Sequence, residues 1–489
     1  MRSSMTNESV ALDDGERRWT FEQLDEQVHS LATQLKARGM RVMATLMDNS
    51  AAWVIADRAA AEAGVVHVPL PAFFTAEQIG HAIGASGVDA LLTLPSMASR
   101  WPQAPSSPWI IGARQLTMLR LPARKVALPT GTAKITFTSG TTGRPKGVCL
   151  DSRTLQIVAR GLVEATEPID IRRHFCALPF AVLLENVAGV IAPLMRGATC
   201  VTLPLSHIGL AGSSSFDAAP FHLAIMAQQP HSVILLPQML RIWVDYLLRT
   251  GQRAPTSLKL AAVGGAAVGA KLLHAARSVG VPAFEGYGLS ECASVQTLNL
   301  PGAELPGSAG RVLPHASIRV AADGELEVRG SLFLGYLGQL DADTAPSSEW
   351  WPSGDLGRID ADGFVHVEGR KKHLLITAFG RNVSPEWVET ALRGEDAIAQ
   401  AVVFGDGEPS LSAVLWPVAS DAPDEALQAA VDAANATLPD YARIVRWQRA
   451  DAEFCVASGM ATANGRPQRS AILQLHADKL GLSGGPISS

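Results

Sequence analysis

The chain has 489 residues, of which 47% are hydrophobic and 18% are charged, so it can bury large cores and is not an intrinsically disordered protein. Its length predicts about three globular units of ~150 residues each. A formal net charge of −5 argues against a dedicated nucleic-acid binder. Five scattered cysteines without a Cys-x-x-Cys pair predict a reducing compartment and no structural zinc. The polar start lacks the apolar run of a signal peptide, and no uninterrupted apolar run of about 18 residues occurs, so we expect a cytoplasmic protein without a membrane span.

The first third of the chain alternates between helical and strand patterns. Residues 20–38 predict a helix with Thr20 as N-cap, Gln23 as its capping-box partner and Gly39 at the C-terminal end. Further helices are predicted at 51–63 and 77–85, and strands at 42–47, 65–69 and 90–94. The proline-rich residues 96–130 show no clear period and predict a loop-rich connection.

The same alternation continues to about residue 307, where the texture changes. Helices are predicted at 155–164, 222–228, 236–249 and 270–279, and strands at 135–137, 200–203, 259–263 and 282–285. From about residue 307, short strands separated by turns predict hairpins. A basic run at 369–373 then precedes a new α/β pattern, with helices at 385–392 and 424–436. We therefore predict a domain boundary there, with one domain at 1–370 and a small one at 371–489.

A glycine-rich and hydroxyl-rich loop follows the predicted strand at 135–137. Its glycines free the backbone to curl, and its N–H groups, hydroxyls and one lysine can surround an oligophosphate. It is not a Walker A loop, because no Gly-Lys-Ser/Thr occurs. The alternative interpretation is a flexible surface loop. The predicted phosphate-binding residues are Thr138, Ser139, Gly140, Thr141, Thr142, Gly143 and Lys146.

Residues 138–147, Thr-Ser-Gly-Thr-Thr-Gly-Arg-Pro-Lys-Gly, resemble the phosphate loop of the adenylate-forming enzymes. That superfamily contains acyl-CoA synthetases, the adenylation domains of peptide synthetases and luciferases. The resemblance implies a large N-terminal domain of stacked α/β sheets with a small β-barrel-like part, and a small, mobile C-terminal α+β domain. It also implies that ATP and Mg²⁺ bind here.

A second motif, Glu-Gly-Tyr-Gly-Leu-Ser-Glu, occupies residues 285–291. Taken alone it is slightly more typical of a tight turn with a structural tyrosine. The resemblance implies that Tyr287 stacks on adenine, that Ser290 contacts the α-phosphate region and that Glu291 binds Mg²⁺ and acts in catalysis. Gly288 lies beside the tyrosine, where it lets the backbone approach a ligand closely.

Three further blocks match the family by their spacing. Gly265 and Ala266, in a Gly-Gly-Ala-Ala turn after a predicted strand, are implied to pass over adenine; the alternative is a helix-packing turn. Asp355, predicted to lie on a tight turn, and Arg370 are implied to bind ribose. Lys372 matches the hinge on which the small domain rotates between half-reactions, and residues 380–386 match a loop that then swings into the site.

One block departs from the family pattern. The family usually has Thr-Gly-Lys near the C-terminus, with a lysine that bridges the carboxylate and the α-phosphate, whereas residues 462–469 read Thr-Ala-Asn-Gly-Arg-Pro-Gln-Arg. Arg466 takes the lysine's place and is predicted to be catalytic, together with Lys146 and Glu291. Arginine keeps the charge but is larger and planar, so the adenylation rate comes into question.

The segment at 178–186, Leu-Pro-Phe-Ala-Val-Leu-Leu-Glu-Asn, corresponds to the lining of the family's acyl pocket. It lacks the histidine that many relatives carry near Ala181 and Val182. No aspartate in residues 176–192 could pair with the ammonium group of an amino acid, which counts against an amino acid substrate. The apolar run with one glutamate resembles the long-chain fatty acyl synthetases. We predict Phe180, Leu184, Glu185 and Gly286 as acyl-pocket residues; the alternative is that the apolar run is simply core.

These observations predict an AMP-forming acid–thiol ligase that activates a carboxylic acid, favouring a fatty acid, and transfers it to a pantetheine thiol. CoA is favoured over a phosphopantetheine carrier protein, because residues 331–369 are too few for the insertion typical of carrier-loading ligases. The rival hypotheses are a fatty acyl-AMP ligase that loads an acyl carrier protein, a catalytically silent nucleotide-binding scaffold and, more weakly, a P-loop kinase.

Overall fold

The computed structural model describes residues 9–112, 114–122, 124–138, 145–212, 215–338, 350–379, 381–462 and 466–480. Ser139, Gly140, Thr141, Thr142 and Gly143 of the predicted phosphate loop, and Gly380, lie outside the described residues. The α-helices are α1 (Phe21–Ala37), α2 (Ala51–Ala63), α3 (Ala76–Ser86), α4 (Pro95–Ala98), α5 (Ser152–Ala165), α6 (Ala192–Arg196), α7 (Ala218–Gln228), α8 (Pro237–Thr250), α9 (Ala270–Ser278), α10 (Pro385–Arg393), α11 (Asp424–Ala436) and α12 (Arg469–Leu480). A π-helix spans Glu185–Ile191, and 3-10 turns lie at Leu205–Ile208, Ser290–Cys292, Lys371–His373 and Asp440–Ala442.

The strands group into two large and several small sheets. They are β1 (Val10–Asp13), β2 (Arg18–Thr20), β3 (Val42–Leu46), β4 (Val66–Pro69), β5 (Ala90–Thr93), β6 (Ser106–Ile111), β7 (Arg114–Arg120), β8 (Lys134–Thr138), β9 (Lys146–Leu150), β10 (Arg173–Phe175), β11 (Thr199–Val201), β12 (Leu210–Ala211), β13 (Ser215–Phe216), β14 (Ser232–Leu235), β15 (Leu260–Val263), β16 (Ala283–Leu289), β17 (Ser294–Leu298), β18 (Arg311–Val312), β19 (Ser317–Val320), β20 (Glu325–Arg329), β21 (Gly335–Tyr336), β22 (Trp351–Ile359), β23 (Val365–Arg370), β24 (Leu375–Ile376), β25 (Asn382–Val383), β26 (Ile398–Phe404), β27 (Leu411–Pro417) and β28 (Ile444–Arg449).

The two large sheets carry the predicted ligand-binding segments. One has eight strands in the order β21-β9-β8-β4-β3-β5-β7-β6, and the other has nine in the order β18-β17-β16-β15-β14-β10-β11-β1-β2. Their central strands are parallel and buried on both faces, as expected where helices cover a sheet. Apolar side chains of α5, the π-helix, β9 and β17 form a shared core that joins the sheets.

The smaller sheets follow the change of texture in the sequence. Strands β19, β20, β22 and β23 form a four-stranded antiparallel sheet, and β26, β27 and β28 form a three-stranded sheet covered by α10 and α11. The predicted fold class, a large N-terminal α/β domain followed by a small C-terminal domain, is confirmed. The predicted boundary at residue 370 falls between β23 and the 3-10 turn Lys371–His373 and stays a prediction.

Helix α1 shows how local sequence sets an element. Thr20 accepts a hydrogen bond from the backbone N–H of Gln23, and the Gln23 side chain accepts one from the Thr20 N–H, so the predicted capping box is confirmed. Leu24, Val28 and Leu35 belong to the buried stripe that packs against α2. The helix ends at a C-cap on Arg38, one residue before the predicted end.

The prediction of a loop-rich connection at 96–130 is wrong. This stretch contains α4 and the antiparallel hairpin β6–β7, which extends the eight-stranded sheet. Strand β6 lies at the edge of that sheet. Pro108 is therefore tolerated within it, because an edge strand has one side without ladder hydrogen bonds.

Two predicted turns are strands. Tyr287 lies in β16, which runs on to Leu289, and Asp355 lies in β22. A Cβ on Gly288 would lie 2.0 Å from the carbonyl oxygen of Ser294 on β17, so only glycine lets these strands pair. Gly354 has a φ of 75°, which also favours glycine. The glycines that suggested turns instead permit close strand contacts.

Candidate active site

Tyr287, Asp355 and Arg370 meet beside the end of the four-stranded sheet. The Tyr287 hydroxyl donates to Asp355 Oδ2 at 2.7 Å, and Arg370 Nε lies 3.0 Å from Asp355 Oδ1. Asp355 and Arg370 are paired across β22 and β23, so the register of this sheet fixes the ion pair. Burial raises the pKa of Asp355, while the Arg370 charge and the Tyr287 hydroxyl act in the opposite direction. The residues predicted for adenine and ribose therefore lie in one hydrogen-bonded group.

The lysine of the phosphate loop and the glutamate of the second motif are joined through Tyr336. The Tyr336 hydroxyl donates to Glu291 Oε1 at 2.8 Å, and Lys146 Nζ lies 5.5 Å from the centroid of the Tyr336 ring. Strand β21, which carries Tyr336, pairs with β9, which begins at Lys146. No motif in the sequence marks Tyr336, because nothing in the sequence shows that β21 joins this sheet.

The ends of the predicted phosphate loop are adjacent in the fold. Thr138 and Lys146 are register partners in the antiparallel pair of β8 and β9, so the last residue of β8 lies beside the first residue of β9. The Thr138 hydroxyl donates to the carbonyl of Lys146 at 3.5 Å. The Lys146 side chain is exposed, as an ammonium group that meets a phosphate must be.

Arg466 is within electrostatic range of Asp355, Arg370 and Glu291, the group that we call the nucleotide cleft. Desolvation lowers the pKa of its guanidinium, and so does the positive charge of Arg370, whereas the carboxylates of Asp355 and Glu291 act to raise it. Arg466 nevertheless stays exposed to solvent. The structure thus brings Arg466 close to three of the predicted nucleotide-binding residues.

Lys372, the predicted hinge residue, also contributes charge to this cleft. Desolvation lowers its pKa, and the charges of Arg370, Lys146 and Arg466 act in the same direction. The preceding Lys371 instead pairs with Asp323 at 2.6 Å and with a carboxylate of the neighbouring strand β20 at 2.7 Å. One lysine of the basic run therefore anchors the junction, and the next adds positive charge to the cleft.

The Gly-Gly-Ala-Ala turn is held by Glu285, the first residue of the 285–291 motif, for which the sequence predicted no role. Glu285 Oε1 accepts from the N–H of Val268 at 3.1 Å, and its Oε2 has no hydrogen-bond partner among the described residues. Burial raises the pKa of Glu285 to about 7. Gly265, with a φ of 90°, and Ala266 are exposed on this turn. The burial of Glu285 is what distinguishes it from an ordinary surface glutamate, and the periodicity of the sequence does not reveal that burial.

The predicted acyl-pocket residues differ in exposure. Phe180 is 1% exposed, and its ring centroid lies 5.2 Å from that of Trp53. Glu185 is fully buried against His174, whereas Leu184 and Gly286 are partly exposed. The acyl-pocket role of these four residues stays a prediction.

The fold and this site can now be compared with known proteins. A family model described as AMP-binding enzyme matches residues 2–337, and one described as AMP-binding enzyme C-terminal domain matches residues 372–481. The chain belongs to the AMP-binding enzyme family. It is an AMP-forming acid–thiol ligase of the acyl-CoA synthetase kind.

Individual relatives of this AMP-binding enzyme act on different acids. It is 31% identical to a long-chain-fatty-acid–CoA ligase of Mycobacterium bovis, over 74% of this chain and 70% of the relative. It is 27% identical to a 2-succinylbenzoate–CoA ligase of a Geobacillus species, over 83% and 82% of the two chains. The solved O-succinylbenzoate coenzyme A synthetase of Bacillus subtilis, in complex with ATP and magnesium ion, superposes with a TM-score of 0.77 at 24% identity, covering 96% and 97% of the two chains.

The residues at the cleft suit Mg²⁺ together with a nucleotide. Mg²⁺ in proteins commonly takes one or two carboxylates and completes its octahedron with phosphate oxygens and water. Glu291 is a half-buried carboxylate that accepts from the Tyr336 hydroxyl and is within electrostatic range of Arg466, which suits that donor set. Among the described residues of the enzyme, no helix is long and apolar enough to cross a membrane.

Proposed function

We propose that this enzyme activates a fatty acid as acyl-AMP, with release of pyrophosphate, and then transfers the acyl group to the thiol of CoA. The observation that carries this proposal is the position of Arg466. Its guanidinium is within electrostatic range of Asp355 and Glu291, so the C-terminal part brings a cation near the residues predicted to hold ribose and Mg²⁺. Such a cation is needed where negative charge develops on the α-phosphate.

The proposed roles of the nucleotide-binding residues follow from this geometry and from the resemblance. Tyr287 offers a flat ring for adenine, with Gly265 and Ala266 over the base. Asp355 accepts from the ribose hydroxyls beside Arg370. Ser290 contacts the α-phosphate region, next to Glu291, and Gly288 leaves room for the nucleotide. The hydroxyls, N–H groups and lysine of residues 138–146 bind the outer phosphates.

The chemistry has two displacement steps. A carboxylate oxygen of the acid attacks the α-phosphorus, an O–P bond forms, and pyrophosphate leaves with the electrons of the bond that breaks. The sulfur of the CoA thiolate then attacks the acyl carbon, and AMP leaves as the C–O bond breaks. Lys146 and Arg466 neutralise charge in the first step. When bound, Mg²⁺ offsets the charge of the phosphates beside Glu291.

The acyl segment supports a fatty acid. Its sequence is apolar from Phe180 to Leu184, with Val182 and Leu184 partly exposed, and its one acidic side chain, Glu185, faces inward to His174. A long-chain-fatty-acid–CoA ligase is also among the relatives that the chain matches. A carrier protein as acceptor finds no support in those relatives, which are CoA ligases.

The proposal is tested by ATP–pyrophosphate exchange with a series of straight-chain fatty acids, alongside 2-succinylbenzoate and ferulate. We expect exchange that depends on a fatty acid and falls at least 100-fold in Glu291→Ala. Exchange with the aromatic acids alone, or exchange unchanged in Glu291→Ala, would contradict the proposal.

A further inference from the structure

The acyl segment has its backbone fixed by two buried side chains, one from the residues between β3 and α2 and one from the C-terminal end of the segment itself. We infer that Asn49 and Glu185 are positioning residues that lock the backbone of Leu178–Phe180 and so set which side chains the segment presents to the acid. This inference rests on the proposed function, because it takes residues 178–184 as the acyl-binding wall.

Asn49 holds the segment from outside. It is 2% exposed and lies between β3 and α2. Its Nδ2 donates to the carbonyl of Leu178 at 2.8 Å, and its Oδ1 accepts from the N–H of Phe180 at 2.9 Å. One amide group therefore pairs with two backbone groups, as a neighbouring strand would. Both bonds are buried, so losing them leaves backbone groups unsatisfied.

Glu185, near the C-terminal end of the segment, folds back onto its first residue. Its Oε2 accepts from the N–H of Leu178 at 3.2 Å, and its Oε1 lies 3.4 Å from His174 Nε2. His174 is fixed in turn by a hydrogen bond of 2.8 Å between its Nδ1 and the hydroxyl of Ser232. Both backbone polar groups of Leu178 are thus satisfied by side chains, one from Asn49 and one from Glu185.

The residue after Glu185 fixes the π-helix that carries it. Asn186 Nδ2 donates to Asp57 Oδ2 at 3.1 Å, and its Oδ1 accepts from Lys134. Lys134 Nζ also lies 2.7 Å from Asp57 Oδ1. These side chains are all buried, so the first turn of the π-helix cannot shift without breaking a buried charged network.

The clamp determines what the segment exposes. Phe180 is pressed against Trp53, and Ala181 and Leu183 are buried, while Val182 and Leu184 keep partial exposure. A change of about 1 Å in the position of a substrate-contacting wall can cost a large factor in rate. The clamp therefore acts on acid binding and on chain-length selectivity, and leaves the nucleotide residues in place.

The test compares Asn49→Ala with Asn435→Ala. Asn435 makes the same kind of clamp, from Nδ2 to the carbonyl of Ile444 and from the Ile444 N–H to Oδ1, both at 2.8 Å, but it lies in the C-terminal part. We expect Asn49→Ala to raise the KM for the acid about 10-fold, with KM for ATP within about twofold of wild type, and to broaden the chain-length profile. Asn435→Ala should lower the thermal unfolding midpoint about as much as Asn49→Ala does, because it loses the same kind of clamp. It should leave the KM values for the acid and for ATP unchanged.

Glu185 provides the second arm. Glu185→Gln keeps an acceptor for the Leu178 N–H, so it should restore most of the acid affinity that Glu185→Ala loses. If Asn49→Ala does not fold, the comparison of Glu185→Gln with Glu185→Ala tests the inference by itself. Folded clamp variants with wild-type acid KM and chain-length profile, or with equal increases in the KM values of acid and ATP, would overturn the inference.

The outcome is separable from that of the proposed function. If the wild-type enzyme activates an acid other than a fatty acid, the proposed substrate is wrong, and the clamp is tested with the acid that is used. If the wild-type enzyme activates fatty acids and the clamp variants keep its selectivity, the clamp alone is wrong.

Discussion

Tyr287 can contribute to ATP binding in two ways, through a ring that can stack and through a hydroxyl that donates to Asp355. Tyr287→Phe removes only the hydrogen bond and should raise the KM for ATP by a few-fold, since one such bond contributes about 1 kcal/mol. Tyr287→Ala also removes the ring and should raise that KM at least tenfold more. Equal effects of the two substitutions in steady-state ATP titrations would argue against stacking at this position.

Glu285 should make stability depend on pH. Its pKa rises from 4.5 to about 7 on folding, so between those values the folded state binds more protons than the unfolded state. Stability therefore falls as pH rises through this window, by on the order of 2–3 kcal/mol. Glu285→Gln cannot titrate and should be more stable than wild type at pH 8 by this amount, with a much smaller difference at pH 4. Denaturant unfolding at both pH values tests this, and a difference independent of pH would contradict it.

Arg466 stands where the resemblance to the adenylate-forming enzymes predicts a lysine. Because Arg466 faces Asp355 and Glu291, Arg466→Ala should reduce ATP–pyrophosphate exchange at least 100-fold. Arg466→Lys should keep exchange within about tenfold of wild type, since it retains the charge in a smaller group. Single-turnover acyl-AMP formation measures both, and full activity in Arg466→Ala would remove Arg466 from the mechanism.

At the scale of elements, glycines set how closely strands approach. Gly288→Ala places a Cβ about 2.0 Å from the Ser294 carbonyl on β17 and should destabilise the enzyme by at least ~3 kcal/mol. Gly84→Ala is the matched control, because a Cβ there meets nothing within 4 Å on α3, and it should stabilise by about 0.5–1 kcal/mol. Thermal unfolding of both variants checks the contrast, which fails if Gly288→Ala is neutral.

Elements with a strong local signal were predictable from the sequence. The capping box of α1 and the bounds of α2 and α11 are local properties, and the structure confirms them. The hairpin β6–β7 was not predictable, because its one proline, Pro108, is tolerated only in an edge strand and its position in the sheet is set by distant partners. The turns expected around Tyr287 and Asp355 failed for a related reason, since their glycines serve strand pairing.

Much of the candidate site was predictable only as separate motifs. The sequence singled out Lys146, Glu291 and Arg466, but not Tyr336, which contacts Glu291 and lies beside Lys146. Glu285 was part of a recognised motif, yet its burial and its hydrogen bond from the Val268 N–H are set by the fold around it. Such residues depend on tertiary contacts that no local pattern encodes.

At the scale of the whole molecule, the C-terminal part contacts the large one through helix α10 and its neighbours. Lys271 Nζ lies 2.5 Å from Glu395 Oε1, and the Arg241 guanidinium donates to the carbonyl of Arg393. The Lys271 pair is partly exposed and adds little to stability. Contacts of this kind hold the C-terminal part beside the large one, where the charge of Arg466 acts on Asp355 and Glu291.

The most direct measurement is mass spectrometry of the products that the enzyme forms from ATP, Mg²⁺ and a mixed pool of carboxylic acids, first without CoA and then with it. The account predicts a fatty acyl-AMP in the first reaction and its conversion to the matching acyl-CoA in the second. Formation of an aromatic acyl-AMP only, or of no acyl-AMP from any acid in the pool, would contradict it.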